Sequence, residues 1–339
     1  MRQPLNIQVN AKDISISNIY ISEKNYSEDM DSKVLPFLKK IESDGFISGS
    51  ENVNLYYKKF IVDNAKGNIV ISHGFTEYIE RYEELIYYFT KEKYNVFIME
   101  HRGNGRSGNL GKEDSTQMYV EDFDYYVDDM KKFVDKIVIP ESNSKKIFLF
   151  AHSMGGAIGT ALLERYPKLF EGAVLSAPML EIDTGSTPSL IAKILTNIKN
   201  FTGNSGQYVL GHGKFVKSNS VEGSGTTCKE RFEYSNNILN SNKMLQRGGA
   251  SYKWLYESFN AITDITKKSN LQKIEAPVLL FQAENDTYVR PGGQNKFNKY
   301  CKNCEFKFVK NAKHEIYRER DEIQKPYIQD VLNFYNHNL

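Results

Sequence analysis

The part of this sequence best suited to chemistry is a serine set among small residues at the end of an apolar run. Ile147-Phe148-Leu149-Phe150 reads as a short strand buried on both faces, and Ala151-His152-Ser153-Met154-Gly155-Gly156 follows it directly. Gly155, Gly156, Ala157, Gly159 and Ala161 then give a helix with a near side thin enough to begin tightly against its own strand. That is the setting of a nucleophile elbow, a sharp turn that lifts a hydroxyl clear of the sheet. The pattern departs from Gly-x-Ser-x-Gly once, with Ala151 where the first glycine is usual. A serine hydroxyl is a weak nucleophile in water. It needs a base, a group that orients the base, and N–H donors for the oxyanion. A chance serine in a strand–turn–helix would lack them.

The partners can be sought by order and placement. Where a triad is built on such an elbow, the acid and then the histidine follow the serine. Of six histidines, His212, His314 and His337 lie after Ser153. His337 is in the terminal tail and His212 in a Gly-rich stretch. His314 directly follows the last strand, where a loop can reach back, and is the candidate base. The acid should follow a strand before it. Phe281-Gln282-Ala283-Glu284-Asn285-Asp286 offers two carboxylates, and Asp286, deeper in the loop, is favoured over Glu284. One oxyanion donor is the N–H after the nucleophile, Met154. The second should come from the loop after an earlier strand, where Gly74 makes the Phe75 N–H the natural choice. His73 beside it reads as structural.

These residues need a scaffold of alternating strands and helices. Strands are expected at residues 55–57, 60–62, 69–72, 96–99, 147–150, 173–175, 277–281 and 306–309, with helices at 80–91, 120–138, 291–299 and from about 322. The alternation implies a largely parallel sheet with helices on both faces. An amphipathic helix over residues 34–41, ended near Gly45, and a short strand over 14–21 are expected in an N-terminal arm, 1–52. The alternation stops over 179–263, a Ser-, Asn- and Gly-rich stretch with helical pieces. An interruption there reads as a cap inserted at the carboxyl edge of the sheet, over the ligand crevice. The core is then 53–178 and 264–339.

The combined motifs resemble the bacterial lysophospholipase and monoacylglycerol lipase group of α/β-hydrolases. Residues 73–82, HGFTEYIERY, resemble its H-G-x-x-E-x-x-x-R-Y signature, residues 101–107, HRGNGRS, its R-G-x-G-x-S turn, and residues 314–317 its H-E-[IL] segment. In the cap, residues 206–211 and 247–255 look like bacterial lysophospholipases in particular. Glu100 stands where the group has Asp, and Tyr78 where histidine is common. The resemblance covers about 34–335. It implies an α/β-hydrolase fold and cleavage of a lipid carboxylic ester by Ser153, His314 and Asp286 through an acyl-enzyme, without metal or cofactor. Lysophospholipid is the leading substrate class, with monoacylglycerol or a general carboxylic ester as alternatives. A peptidase lacks an evident cap acid to anchor an amine, and an inactive binding protein of this fold would not need the full triad.

Composition narrows the partners. Among 339 residues, 44 Lys and Arg face 42 Asp and Glu, a formal net charge of +2, so no electrostatic case exists for nucleic acid. Three cysteines cannot build a disulfide framework, and Cys301-x-x-Cys304, without further ligands, reads as a surface loop before a strand rather than a zinc site. No stretch approaches the roughly 18 apolar residues of a membrane span, and no N-terminal signal pattern stands out. The expected location is the cytoplasm, with transient contact at a membrane surface left open. Oligomeric state is not legible. In the cap, Leu190, Ile191, Ile194, Phe201, Tyr208 and Trp254 could line an acyl tunnel or pack the cap onto the core. Tyr208 and Trp254 are the substrate-binding candidates.

Overall fold

The protein is described by a computed structural model over residues 19–218 and 220–339. Eight strands form one sheet: β1 Glu42–Ser48, β2 Asn54–Phe60, β3 Gly67–Ser72, β4 Tyr94–Met99, β5 Ile147–His152, β6 Gly172–Ser176, β7 Val278–Ala283 and β8 Cys304–Val309. Their spatial order is β1-β2-β4-β3-β5-β6-β7-β8. β1 pairs antiparallel with β2 and β2 with β4, and every later pairing is parallel. β3 to β7 are buried along their whole length, as continuous apolar runs require when helices cover both faces. The longer helices of the described residues are α1 Glu83–Lys91, α2 Asp124–Phe133, α3 Met154–Arg165, α4 Ser189–Phe201, α5 Lys229–Ser241, α6 Tyr252–Ile265, α7 Pro291–Tyr300 and α8 Asp321–His337. The core lies in two layers. One, under α2, α3, α6 and α7, includes Leu149, Ile158, Phe133 and Phe297; the other, under α1 and α8, includes Ile71, Phe150, Phe89 and Val331. This is the α/β-hydrolase architecture.

Several expectations shift at the sheet's antiparallel edge. Helical turns begin at Glu23 and continue to Lys39, because Tyr26, Met30, Val34 and Leu38 form a buried stripe at four-residue spacing that starts well before residue 34. Gly45 does not end that helix but lies in β1, an edge strand with mostly exposed residues and little apolar signal. The strand expected at 14–21 lies largely outside the described residues, and 19–21 are not strand. Residues 55–60, expected to be divided between two strands, run unbroken in the single β2, and 61–62 lie beyond its end. Its lysines are neutralised by Lys58–Glu42 and Lys59–Glu141 ion pairs, so polar residues do not interrupt it. Cys301 closes α7 and is buried, not on a surface loop; Cys304 opens β8, and both thiols are free.

Between β6 and β7 run α4, α5 and α6. α5 has no strong apolar period and is anchored by a buried arginine. Arg231, fully buried, donates to Glu84 of α1 through two nitrogens, each at 2.8 Å, and to Asp321 (3.0 Å) and Gln324 (2.9 Å) of α8. Arg247 clamps the 101–107 turn, donating to the carbonyls of Gly103 and Gly105, at 2.5 and 2.7 Å. Within that turn Glu100 accepts from the Arg106 backbone at 2.5 Å. Gly105 is left-handed (φ +48°) and has no room for a Cβ, which would lie 2.3 Å from the Glu100 carboxyl.

Candidate active site

Ser153 caps α3 directly beyond β5 with φ 54° and ψ −120°, a conformation that costs an L-residue about 1–3 kcal/mol and persists only where its surroundings hold it. They hold it firmly. Its N–H donates to Ser176 O on β6 (3.2 Å), and its carbonyl accepts from Gly156 (2.8 Å) and Met179 (2.8 Å). A Cβ on Gly155 would lie 2.1 Å from Ser72 O, so α3 starts against the backbone of β3 and only glycine fits. Gly159 explains why Ala151 is tolerated. A Cβ there would lie 3.1 Å from the Ala151 Cβ, so the methyl added at the elbow fills space that a glycine one turn into the helix leaves open.

The loop after β7 and the loop after β8 meet at this elbow. His314 Nδ1 pairs with Asp286 Oδ2 at 2.7 Å, and both side chains are buried. Asp286 Oδ1 accepts the N–H groups of Tyr288 (2.9 Å) and Val289 (3.0 Å). Burial works against its charge, but His314 and those two N–H groups hold the carboxyl below the usual carboxylate range. Glu284, the rejected carboxylate, is exposed and accepts from the Asn311 N–H at 2.7 Å, bracing the two loops. The His314 ring lies 4.7 Å from that of His152, the residue before the nucleophile, and 5.1 Å from that of Tyr288. With Nδ1 committed to Asp286, Nε2 is the nitrogen left for a hydroxyl. Among the described residues Ser153 Oγ makes no hydrogen bond to it within 3.5 Å. His212 lies elsewhere, accepting from the Ala250 N–H at 3.0 Å.

Phe75 follows β3 in a loop that is pinned from behind. Met154 opens α3, where first-turn N–H groups have no intrahelical partner and the helix dipole favours negative charge. The Gly74 N–H donates to Glu77 Oε2 at 2.5 Å, and Tyr82 donates to the same oxygen at 2.5 Å; Tyr317, three residues past His314, donates to Oε1 at 3.0 Å. Arg81 and Arg318 each reach Glu315 at 2.5 Å, and against its burial they hold it at about 2. Burial pushes the His152 imidazole down to about 4, and His73 likewise. The floor of the site therefore carries neutral histidines beside a compensated ionic cluster. Glu77, Arg81 and Glu315 stand in the sequence signatures, but position alone says nothing of this pinning. Tyr78, where histidine is common in the group, donates to Ser235 O at 2.7 Å and so ties the same loop to α5.

The two cap candidates separate. The Trp254 ring packs on Phe75 at 4.3 Å, which places α6 over the loop after β3. Tyr208 instead donates to Asp114 Oδ2 at 2.6 Å and bridges to Ser251, with no hydrogen bond to Ser153, Asp286 or His314 among the described residues.

A family model described as serine aminopeptidase, S33, matches residues 63–321. The chain belongs to that family. Among similar proteins, the "Probable lysophospholipase L2" of Haemophilus influenzae is 29% identical over 306 residues, covering 90% of this chain and 95% of that protein. The monoglyceride lipase of Mus musculus is 25% identical, covering 81% and 84%. A soluble variant of monoglyceride lipase from Saccharomyces cerevisiae, solved with a substrate analog, superposes with a TM-score of 0.70 at 20% identity, covering 88% of this chain and 95% of that one, a likeness of fold.

Proposed function

We propose that this S33-family chain is a serine esterase of lipid carboxylic esters, with lysophospholipid as its substrate class and monoacylglycerol as the nearest alternative. The observation that carries the reading is the His314–Asp286 pair beside a left-handed Ser153. Ser153 Oγ attacks the ester carbonyl and passes its proton to His314 Nε2. Asp286 holds the imidazole in its tautomer and stabilises the imidazolium. The Phe75 and Met154 N–H groups receive the oxyanion. The bond to the alcohol breaks as His314 returns the proton to it, and water then releases the fatty acid by the same steps. Residues 179–263 act as a cap on the 53–178 and 264–339 core, with 1–52 as an arm, and Trp254 contributes to the substrate wall. The free thiols suit the cytoplasm. No described helix is long and apolar enough to cross a membrane.

Ser153→Ala is expected to lower ester turnover by about 10⁶, keep the thermal melting profile, and abolish labelling by a fluorophosphonate probe. A substrate panel decides the class: lysophosphatidylcholine, monoacylglycerol, short p-nitrophenyl esters and an aminoacyl anilide. Full residual activity in the variant, or preference for the anilide, would overturn the reading.

A further inference from the structure

We propose that the free edge of β8 pairs antiparallel with β8 of a second copy of this chain, joining two sheets across a two-fold axis. β8 ends the strand order, so one side of it has no neighbouring strand. The carbonyls of Asn303 and Val309 accept from Val278 and Glu284 on the β7 side. Backbone groups alternate sides along a strand, so Glu305 and Lys307 also turn theirs to β7, while Cys304, Phe306 and Phe308 turn theirs outward. Among the described residues no hydrogen bond reaches those outward N–H and C=O groups. An unpaired row of this kind is a template for another strand unless a lone charge, a proline or a bulge guards it. β8 has no proline, and its one lysine is neutralised: Lys307 holds Asp330 at 2.7 Å and Glu305 at 3.7 Å. Phe308 is 48% exposed on the same strand.

The charges on the edge name the occupant. Outward groups must meet outward groups, so in an antiparallel pair residues 304, 306 and 308 face one another. Charge then chooses the register. A pair centred on Glu305 sets Glu305 against Glu305, and one centred on Lys307 sets Lys307 against Lys307; like charges directly opposite destabilise a sheet. A pair centred on Phe306 keeps the longest overlap and places Glu305 opposite Lys307 twice. Those are non-hydrogen-bonded positions, where Cα atoms approach to about 4.5 Å, and about six backbone hydrogen bonds form between them. Lys307 reaches α8, so the four charges gather on that face in alternation, while Cys304 and Phe306 lie on the face of α7. A groove of about 480 Å³ between β8 and α8, lined by Phe281, Val309, Ile323, Pro326 and Tyr327, adds apolar surface beside the edge. An edge of six residues is smaller than a standard interface of about 1,600 Å², so the dimer is weak and reversible. Strand direction reverses across the seam, so the two carboxyl edges point opposite ways and both caps stay open. The surface is independent of the ester-hydrolase reading, because pairing needs no turnover.

The test is sedimentation equilibrium of the full chain over about 1–100 µM, where the parent should show a reversible monomer–dimer equilibrium. Glu305→Lys sets lysines opposite each other, and Lys307→Glu does the same with carboxylates. Each should weaken the dimer at least about tenfold, because two favourable pairs become two unfavourable ones. Mixed in equal amounts, the two variants face each other with opposite charges at both positions. The mixture should regain a dimer about as strong as the parent's, which chains damaged in folding could not do. Phe308→Pro removes an outward N–H and no bond to β7, and should leave a monomer. The Glu305 side chain is 59% exposed, so Glu305→Lys should melt at the parent's temperature. A parent that stays monomeric at about 100 µM overturns the proposal. So do single variants that dimerise like the parent, or a mixture that stays monomeric. Growth beyond a dimer also overturns it, since β8 pairing with β1 of the next copy gives an open series instead of a closed pair.

Discussion

Glu77→Gln isolates how the candidate oxyanion loop is held. Glu77 is buried and takes three donors, from Gly74, Tyr82 and Tyr317, with Arg81 at 3.8 Å. Burial alone would raise its pKa, but the Arg81 guanidinium and the Tyr82 hydrogen bond hold the carboxyl below its ordinary range, so it is charged. A glutamine keeps the shape. Its one oxygen can still take Gly74 and Tyr82, while its NH₂ turns to Tyr317, which can accept. What goes is the charge. Hydrogen bonds to ionised groups contribute about 1.5–3 kcal/mol against about 0.5–1.5 for neutral ones, so three of them weaken by about 3–4.5 kcal/mol in all. That sum is the expected loss of stability in urea denaturation. The catalytic loss has a ceiling, since removing one oxyanion donor outright costs about 10²–10³. A loosened Gly74 displaces the Phe75 N–H without deleting it, so kcat should fall about 10–100-fold. KM should change little, because the donor acts on charge that develops only in the transition state. Steady-state kinetics on a soluble ester, with the folded fraction checked by circular dichroism at the assay temperature, separates the two effects. A fully folded Glu77→Gln enzyme with kcat within about twofold of the parent would refute the pinning of Phe75 through Gly74, leaving Glu77 a purely structural group.

Two further outcomes follow from the scaffold beneath the serine. Glu164 sits on α3 with Oε1 buried and without a hydrogen-bond partner among the described residues, and burial raises its carboxyl to about 8. The folded state therefore holds a proton that the unfolded state releases near its ordinary value, and Glu164 costs stability as pH rises from about 4.5 to 8. Glu164→Gln should gain on the parent progressively over that window, by up to a few kcal/mol in urea denaturation, and a pH-independent difference would contradict the protonated native carboxyl. Gly155→Ala places a methyl 2.1 Å from Ser72 O. Backbone must move, so the variant should lose several kcal/mol and its fluorophosphonate labelling together; normal labelling would show that α3 can stand further from β3.

The core is legible in the sequence for a definite reason. Strands β3 to β7 are covered on both faces, so each reads as an unbroken apolar run between polar turns, and chain order then assigns the loops that carry Asp286 and His314. The edge is less legible because β1 is largely exposed and β2 carries paired lysines. Glu77 and Arg247 are legible as motif members but not as parts. Glu77 meets Tyr317 across 240 residues, and Arg247 meets Gly103 across 144, distances at which no periodicity can report.

The cap marks a different limit. A hydrophobic period reports how much of a helix is apolar, not which side finds a neighbour. α4 is apolar on two sides. Leu195 and Ala192 face the protein while Ile194 and Phe201 face away, and the two sets alternate along the same 13 residues. Read as a list, these side chains suggest a tunnel lining; placed on the helix, half of them cannot touch a bound acyl chain without the helix turning over. Specificity in this enzyme must then come from fewer cap residues than its composition suggests, with Trp254 against Phe75 the contact nearest the serine's neighbours.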